Sequence, residues 1–183
     1  MARVADPEAR DRILTAAAGL FYLRGVRAIG MAEVIEAAGC GKNMLYRHFP
    51  SKAALTTAYL SKARAARDRV TELALANAGP GPAERLAALI AAVADQVRES
   101  TYRGCAFRNY LIEFPGDDDE PASVARAYLA DTRRVVDELV AELGAPPVLA
   151  DRLWLLIDGL YGATRTEPDV AVAWARELLD PSH

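Results

Sequence analysis

Hydrophobic residues recur every three or four positions along almost the whole chain, which is the period of an amphipathic helix. In the first such stretch Ile13 and Phe21 fall on one face, while Pro7 precedes the stretch and Gly25 follows it. Proline is common in the first turn of a helix, and a glycine after the last residue permits the left-handed conformation that ends one. The pattern therefore predicts a first helix over residues 7–24.

The same criteria predict eight further helices, separated by short segments rich in Gly, Pro and Asp. No stretch alternates hydrophobic and polar residues as a half-buried strand does. We therefore predict an all-α fold of about nine helices. The fourth begins at Ser51, whose hydroxyl is expected to cap it. The predicted ranges after the first are 31–38, 42 to 48 or 49, 51–78, 83–100, 105–114, 121–143, 147–165 and 168–180.

Charge is divided unevenly along the chain, although the formal net charge is only −3. Residues 1–69 contain twelve Lys and Arg against six Asp and Glu, a net charge of +6. Residues 70–183 contain the other ten against nineteen, a net charge of −9. Because a basic surface attracts polyanions, the imbalance indicates a protein that presents only its N-terminal part to a polyanion.

Several classes of protein are disfavoured by the composition. The opening MARVADPEARDR is charged where a signal peptide needs an apolar run, and no stretch is apolar enough to cross a bilayer, so we expect a cytoplasmic protein without membrane contact. Cys40 and Cys105 lack neighbouring metal ligands, so we expect reduced thiols and neither a metal nor another cofactor. GDDDE at 116–120 lacks the order of a calcium loop and is predicted to be a solvated loop.

Residues 31–49 have the pattern of a helix-turn-helix, two short helices joined by a turn that contains glycine. In the second of these helices Leu45 and Phe49 share the face expected to pack inward. Asn43 and Arg47, four residues apart, project from the opposite side. That side is predicted to enter the major groove of DNA.

Each polar residue near this helix has a chemical reason to face DNA. Asn43 can pair with an adenine edge, and Lys42 can reach a guanine edge or a phosphate. Hydroxyl, imidazole and cationic groups of the remaining residues can bind phosphate, and the N–H groups that open the preceding helix offer a further anion contact. For any one residue, an ordinary solvated helix face is an equally good interpretation. The predicted DNA-binding residues are Lys42, Asn43, Tyr46, Arg47, His48 and Lys52.

Residues 10–56 closely resemble the DNA-binding domain of the tetracycline-repressor (TetR) family. The resemblance rests on Ile-Leu-x-Ala-Ala-x-x-Leu-Phe, a Gly after the first helix, an Ala-Gly turn, Leu-Tyr-x-x-Phe and Ser-Lys-x-x-Leu at consistent spacing. It covers about the first third of the chain. It implies a helix-turn-helix domain over 1–52, a helical ligand-binding and dimerisation domain over 53–183, and no enzymatic activity.

The chain also departs from the family pattern, at Met31, Cys40, Gly41 and Met44. Family members often have Thr or Ser near position 31, Val at 40, Ser or Thr at 41 and a small or hydroxyl residue at 44, so these positions are not assigned hydroxyl contacts to phosphate. By the same resemblance, Tyr46, His48 and Lys52 match phosphate-contacting positions. Lys42 and Asn43 fall where family members often contact bases.

The resemblance further implies a homodimer on double-stranded palindromic operator DNA, and a small-molecule effector. The last two predicted helices carry broad apolar surfaces expected to form the dimer interface, although ordinary core packing explains single residues equally well. These interface residues are Leu153, Trp154, Ile157, Leu160, Tyr161, Val170, Trp174 and Leu178. An aromatic cluster with a few polar groups is expected to line a ligand pocket, or else to be core. Its members are Tyr102, Phe107, Arg108, Tyr110, Glu113, Phe114 and Tyr128.

The sequence thus predicts a ligand-responsive transcriptional regulator, most simply a repressor released from DNA by a small hydrophobic or amphipathic molecule. The alternative is a helical carrier or enzyme that only resembles a repressor. Against an enzyme, the chain has no nucleophile elbow, zinc-protease motif, phosphate loop or dinucleotide fingerprint, and it has only two histidines. A redox role for Cys40, near the start of the predicted reading helix, is a subsidiary hypothesis.

Overall fold

The computed structural model describes residues 7–162 and 167–180, and it confirms the all-α prediction. These residues form nine α-helices, and no strand occurs among them. The helices are α1 (Pro7–Arg24), α2 (Met31–Ala38), α3 (Lys42–His48), α4 (Lys52–Asn77), α5 (Pro82–Val97), α6 (Ala106–Glu113), α7 (Glu120–Glu142), α8 (Val148–Gly162) and α9 (Pro168–Leu179).

Helix boundaries follow local chemistry, and most lie within a residue or two of the predicted ones. Ser51 caps α4 as expected, because its Oγ accepts a hydrogen bond of 3.0 Å from the N–H of Ala54. At the start of α5, the Glu84 carboxylate accepts a bond of 2.8 Å from the N–H of Gly81. The largest difference is the end of α5, which stops at Val97 instead of 100 and gives way to turns. The predicted end of the eighth helix at 165 lies outside the described residues.

The chain divides into two compact units. The first unit comprises the described residues up to Arg64 together with Cys105–Tyr128. The second comprises Ala65–Gly104 and the described residues from Leu129 onward. The first unit thus groups α6 and the start of α7 with α1 to α3 and the beginning of α4, and the predicted domain boundary after residue 52 stays a prediction.

The core of the first unit is built from the inward faces of its helices, as the spacing of apolar residues predicts. Ile13 and Phe21 of α1 are buried, as is Val34 of α2. The Phe21 ring meets the Tyr59 ring edge to face at 5.7 Å between centroids, which ties α1 to α4. Burial raises the pKa of the Tyr59 hydroxyl, in keeping with its place in an apolar core.

The core of the second unit is formed mainly by α5, α8 and α9. Leu86 and Ile90 of α5 are buried against Leu153 and Ile157 of α8, and Ala175 of α9 completes the contact. The C-terminal half of α7 adds further buried aliphatic residues. None of the helices among the described residues combines the length and the apolarity that a membrane span requires.

We expect the substitution Gly39→Ala to lower the free energy of unfolding by about 1 kcal/mol, because Gly39 has a φ of +58°, a region that costs an L residue roughly that much. No atom lies within 4 Å of the position an added Cβ would take, so the cost is conformational. Urea unfolding followed by circular dichroism measures it. Gly30→Ala is the control, since Gly30 has a φ of −87° and equally open surroundings. Equal effects of the two substitutions would contradict this explanation.

Candidate nucleic-acid interface

The turn between α2 and α3 is made by three residues, Gly39, Cys40 and Gly41. Gly39 adopts the left-handed conformation that ends α2, and the N–H of Cys40 then donates a 3.1 Å bond to the carbonyl of Ile35. Gly41 is extended and precedes α3 without a side-chain cap. This short turn sets the angle at which α3 leaves α2.

The inner side of α3 is fixed by two large apolar residues. Leu45 is fully buried, and Phe49, directly after the helix, is almost so. The guanidinium of Arg10 lies 5.1 Å from the centre of the Phe49 ring, a cation–π contact from α1. The prediction that Leu45 and Phe49 face inward is confirmed. The remaining side chains of this short helix are consequently turned outward or toward its edges.

The outer side of α3 presents polar and cationic groups to solvent. Lys42, Asn43 and Arg47 are exposed, and Tyr46 is 40 % exposed. His48, at the end of α3, is half-buried and lines a cleft that also includes Arg10. The structure therefore brings five of the six predicted DNA-binding residues together on one seven-residue helix that contains no acidic residue.

Lys52, the sixth predicted residue, opens α4 and is half-buried. Its Nζ donates a 3.4 Å hydrogen bond to the carbonyl of Arg27, in the loop between α1 and α2. Burial lowers the pKa of the Lys52 ammonium, whereas the carboxylates of Glu113 and Glu33 act in the opposite direction. Lys52 is thus a loop anchor as well as a potential phosphate ligand, a double role that the sequence alone did not indicate.

The start of α2, predicted to offer free N–H groups to a phosphate, already holds a carboxylate. Glu33 accepts a 3.1 Å bond from the N–H of Gly30 and a 2.7 Å bond from Arg24. These two bonds, the first above all, lower the pKa of the Glu33 carboxyl. The N–H of Gly30 is therefore occupied within the protein, and the carboxylate ties α1 to the first turn of α2.

Comparison with known proteins places this geometry in a family. The family model for bacterial regulatory proteins of the tetR family matches residues 13–59, which span α1 to the beginning of α4. A TetR transcriptional regulator from Streptomyces avermitilis, known from a crystal structure, is 31% identical to this chain in sequence. The match covers 94% of this chain and 88% of that one, with a TM-score of 0.73. The chain belongs to the TetR family. It is therefore a DNA-binding transcriptional regulator and not an enzyme.

Two further proteins are similar to this TetR-family chain. A TetR-family regulator from Streptomyces coelicolor has a TM-score of 0.84 at 26% identity, with 94% of this chain and 92% of that one covered. An uncharacterized HTH-type transcriptional regulator of Mycobacterium tuberculosis is 41% identical over 125 residues. That match covers 66% of this chain and 61% of the relative's length, so it spans about three fifths of that relative.

The aromatic residues predicted to line a ligand pocket of this TetR-family protein are packed against one another. The rings of Phe107 and Tyr128 stack at 3.9 Å between centroids, and those of Tyr110 and Phe114 at 4.8 Å. All four lie in the first unit with Arg108 and Glu113, whereas Tyr102 belongs to the second. The structure thus brings most of the predicted cluster together, but as filled ring stacks. A ligand-binding role for these residues stays a prediction.

The acidic segment at 116–120 is more than the solvated loop predicted for it. Asp119 accepts a 2.9 Å bond from the N–H of Ala122 and so caps α7, and its carboxylate also accepts bonds of 3.1 and 3.2 Å from the Tyr110 hydroxyl. Asp118 pairs with Arg126 at 2.8 Å. Burial, followed by the charge of Asp119, raises the pKa of Tyr110. The order Asp119-x-x-Ala122 at the start of a helix was a capping signal that the sequence interpretation missed.

The residues predicted to form the dimer interface fall into two groups. Leu153, Ile157 and Leu160 are buried in the core of their own unit, against which Trp154, Tyr161 and Leu178 are partly buried. Val170 and Trp174 of α9 are 43% and 56% exposed. Leu155 of α8, which the prediction omitted, is 67% exposed. Together with Val170 and Trp174 it borders a groove of about 360 Å³. The exposed large apolar side chains that border this groove are therefore Leu155, Val170 and Trp174.

We expect Asp119→Ala to lower the free energy of unfolding by about 1 to 2 kcal/mol, because it removes a helix cap and the acceptor of the buried Tyr110 hydroxyl. Thermal melting of the purified variant tests this. Asp117→Ala is the matched control, since it removes one carboxylate from the same segment but leaves intact the backbone carbonyl that accepts a bond from Arg126. The explanation fails if both variants melt alike.

Proposed function

We propose that this TetR-family regulator is a homodimeric, ligand-responsive repressor that holds a palindromic operator and leaves it when a small hydrophobic or amphipathic molecule binds. The observation that carries the proposal is the two-sided character of α3. Its buried Leu45 fixes the helix, and its exposed face offers only neutral and cationic polar groups. Such a helix suits the major groove, whose base edges are lined with hydrogen-bonding groups and bordered by phosphates.

Sequence reading is assigned to Asn43 and Lys42, in the first turn of α3. The carboxamide of Asn43 is exposed and can donate to and accept from one adenine edge, which a point charge cannot do. Lys42 precedes it and can reach a guanine edge or the adjacent phosphate. Tyr46, Arg47, His48 and Lys52 are assigned to the DNA backbone, where they set register without choosing bases.

Dimerisation is assigned to the exposed apolar surface of α8 and α9. Trp174, Leu155 and Val170 together border an apolar groove, and an aromatic anchor beside a groove is typical of a protein interface. A second copy of the chain is the proposed occupant, because a short reading helix needs a partner on an adjacent half-site to reach useful affinity. A two-fold dimer also explains why the operator is proposed to be palindromic.

The effector is proposed to act on the aromatic residues of α6 and α7. Because the rings are stacked, a ligand has to separate them, which would displace the helices that carry them. A hydrophobic or amphipathic molecule matches the apolar ring faces and the few nearby polar groups. We propose that this displacement moves the two reading helices out of register with adjacent grooves, in the cytoplasm where the operator lies.

Selection of bound duplexes from a random DNA pool tests the DNA-binding part of the proposal. We expect a two-fold symmetric motif whose half-sites are about one helical turn apart. Transcription in vitro from a promoter carrying that motif then distinguishes repression from activation. Recovery of no motif would contradict the proposed operator, and stimulated transcription would contradict repression while leaving DNA recognition intact. The carrier alternative predicts ligand binding without any such motif.

We expect Asn43→Ala to relax the preference for one base pair in each half-site, at a cost of about 1 to 3 kcal/mol in discrimination. Competition binding against duplexes altered at each position measures the change. The control is Lys52→Ala, which should weaken all duplexes alike and reduce the salt slope by about one. A uniform loss of affinity in the Asn43 variant would remove its base-reading role.

We expect Trp174→Glu to shift the protein from dimer to monomer, because it places a charge in the centre of the proposed interface. Sedimentation velocity across a concentration series gives the oligomeric state. Arg176→Glu, an exposed change on the same helix but away from the face that carries Val170 and Trp174, is the control and should leave the dimer intact. A Trp174 variant that stays dimeric would show that another surface joins the subunits.

A further inference from the structure

The C-terminal end of α6 is bonded to the loop between α1 and α2, within the first unit. The Glu113 carboxylate accepts a 2.7 Å hydrogen bond from the backbone N–H of Arg27, and the Glu113 carbonyl accepts one from the Arg27 guanidinium. The same guanidinium lies 4.8 Å from the centre of the Phe114 ring. Three different groups at the end of α6 thus hold one residue of the loop.

The fit at this contact depends on glycine. Gly25 has a φ of +86°, and a Cβ built on it would lie 2.9 Å from Oε1 of Glu113. The loop therefore approaches the carboxylate as closely as an unsubstituted backbone allows. Lys52 also binds this loop, at the carbonyl of Arg27, so that both backbone polar groups of Arg27 have charged side-chain partners.

Hydrogen bonds also connect the loop to the first turn of α2, which leads to α3. Arg24 pairs with Glu33 at 2.7 Å, and Glu33 also accepts the N–H of Gly30, so the loop is tied to the first turn of α2. The tight turn at Gly39 then leads from α2 to α3. A displacement of Arg27 can therefore be transmitted through a few bonded groups to the start of α2, and from there to α3.

We propose that Glu113 is a positioning residue for DNA binding, which fixes the α1–α2 loop through Arg27 without touching DNA itself. This assignment rests on the proposed operator binding, and it gives Glu113 a role different from the ligand contact that the sequence suggested. Electrostatics alone argues for the opposite effect, because a negative charge in a basic DNA-binding head weakens attraction to phosphate. The position of the carboxylate beside Lys52 thus needs a structural reason, and the bond to Arg27 supplies one.

The two explanations predict changes of opposite sign when the charge is removed. If Glu113 is only a charge, both Glu113→Ala and Glu113→Gln tighten DNA binding, and they do so equally. If it positions the loop, Glu113→Ala weakens binding about tenfold, the usual scale for losing a hydrogen bond to a charged group. Glu113→Gln then recovers part of the loss, because its amide oxygen still accepts the N–H of Arg27.

The experiment measures the affinity of the full chain for its selected operator over a series of salt concentrations. Glu36→Ala, which removes an exposed acidic residue of α2, is the charge-matched control and should bind as tightly as the wild type or more tightly. Because Glu113 touches no phosphate, plots of log affinity against log salt concentration should have the same slope for its variants as for the wild type. Melting temperatures establish that each variant is folded at the assay temperature. If Glu113→Ala is unfolded, Arg27→Lys provides a second test. This substitution keeps the charge and the backbone N–H of residue 27 but removes the guanidinium contacts.

The assignment is supported if Glu113→Ala binds more weakly, Glu113→Gln recovers part of the affinity, and both have the wild-type dependence of affinity on salt. Weaker binding by Arg27→Lys at an unchanged salt slope also supports it. Binding by Glu113→Ala that equals or exceeds the wild type overturns it. A salt slope reduced by about one also overturns it, because the effect would then belong to the phosphate contact of Lys52. If the wild type selects no operator, the proposed operator recognition fails, and the same comparison is made on bulk duplex DNA, where weaker binding by Glu113→Ala supports the positioning role and equal or tighter binding overturns it.

Discussion

The burial of Leu45 and Phe49 is the constraint on which the DNA-reading surface depends. A helix of seven residues is too short to be stable in water, and α3 lacks a side-chain cap at its start. Its conformation must therefore come from packing, which Leu45 supplies from within the helix and Phe49 supplies directly after it. Because these two side chains face inward, the outward direction of Asn43 and Arg47 is determined as well. The surface that we propose to contact DNA is therefore a consequence of what the core requires.

Much of the fold was predictable because local chemistry decides it. The bounds of α1 and α2 followed from periodicity and from glycines, and the cap at Ser51 followed from the residue itself. The α6 contacts were not predictable, since Glu113 and Arg27 are 86 residues apart and their bond follows from tertiary packing. The spacing of aromatic residues is the same whether their rings stack on one another or line a cavity. The sequence therefore did not decide which of the two arrangements the aromatic cluster adopts.

Acidic residues divide into two uses that composition does not separate. Glu33 and Asp119 accept backbone N–H groups at the first turns of helices, where a negative charge also suits the helix dipole. Arg133 and Arg134 on α7 instead pair with exposed carboxylates, and exposed pairs of this kind add little stability. The pronounced negative charge of residues 70–183 thus contributes mainly to solvation and to long-range repulsion, whereas a few carboxylates determine local geometry.

The absence of any acidic residue from α3 has a kinetic consequence. Lys42 and Arg47 have no neutralising neighbour on their own helix, so the helix is attracted to any stretch of duplex before it meets the correct bases. Such attraction shortens a search, because a protein that is held loosely by phosphates can slide and hop along the double helix. Residues 70–183, with their surplus of carboxylates, are repelled by the same phosphates. Under the proposed function, encounters that begin with α3 are therefore retained more often than encounters that begin with the acidic part of the chain.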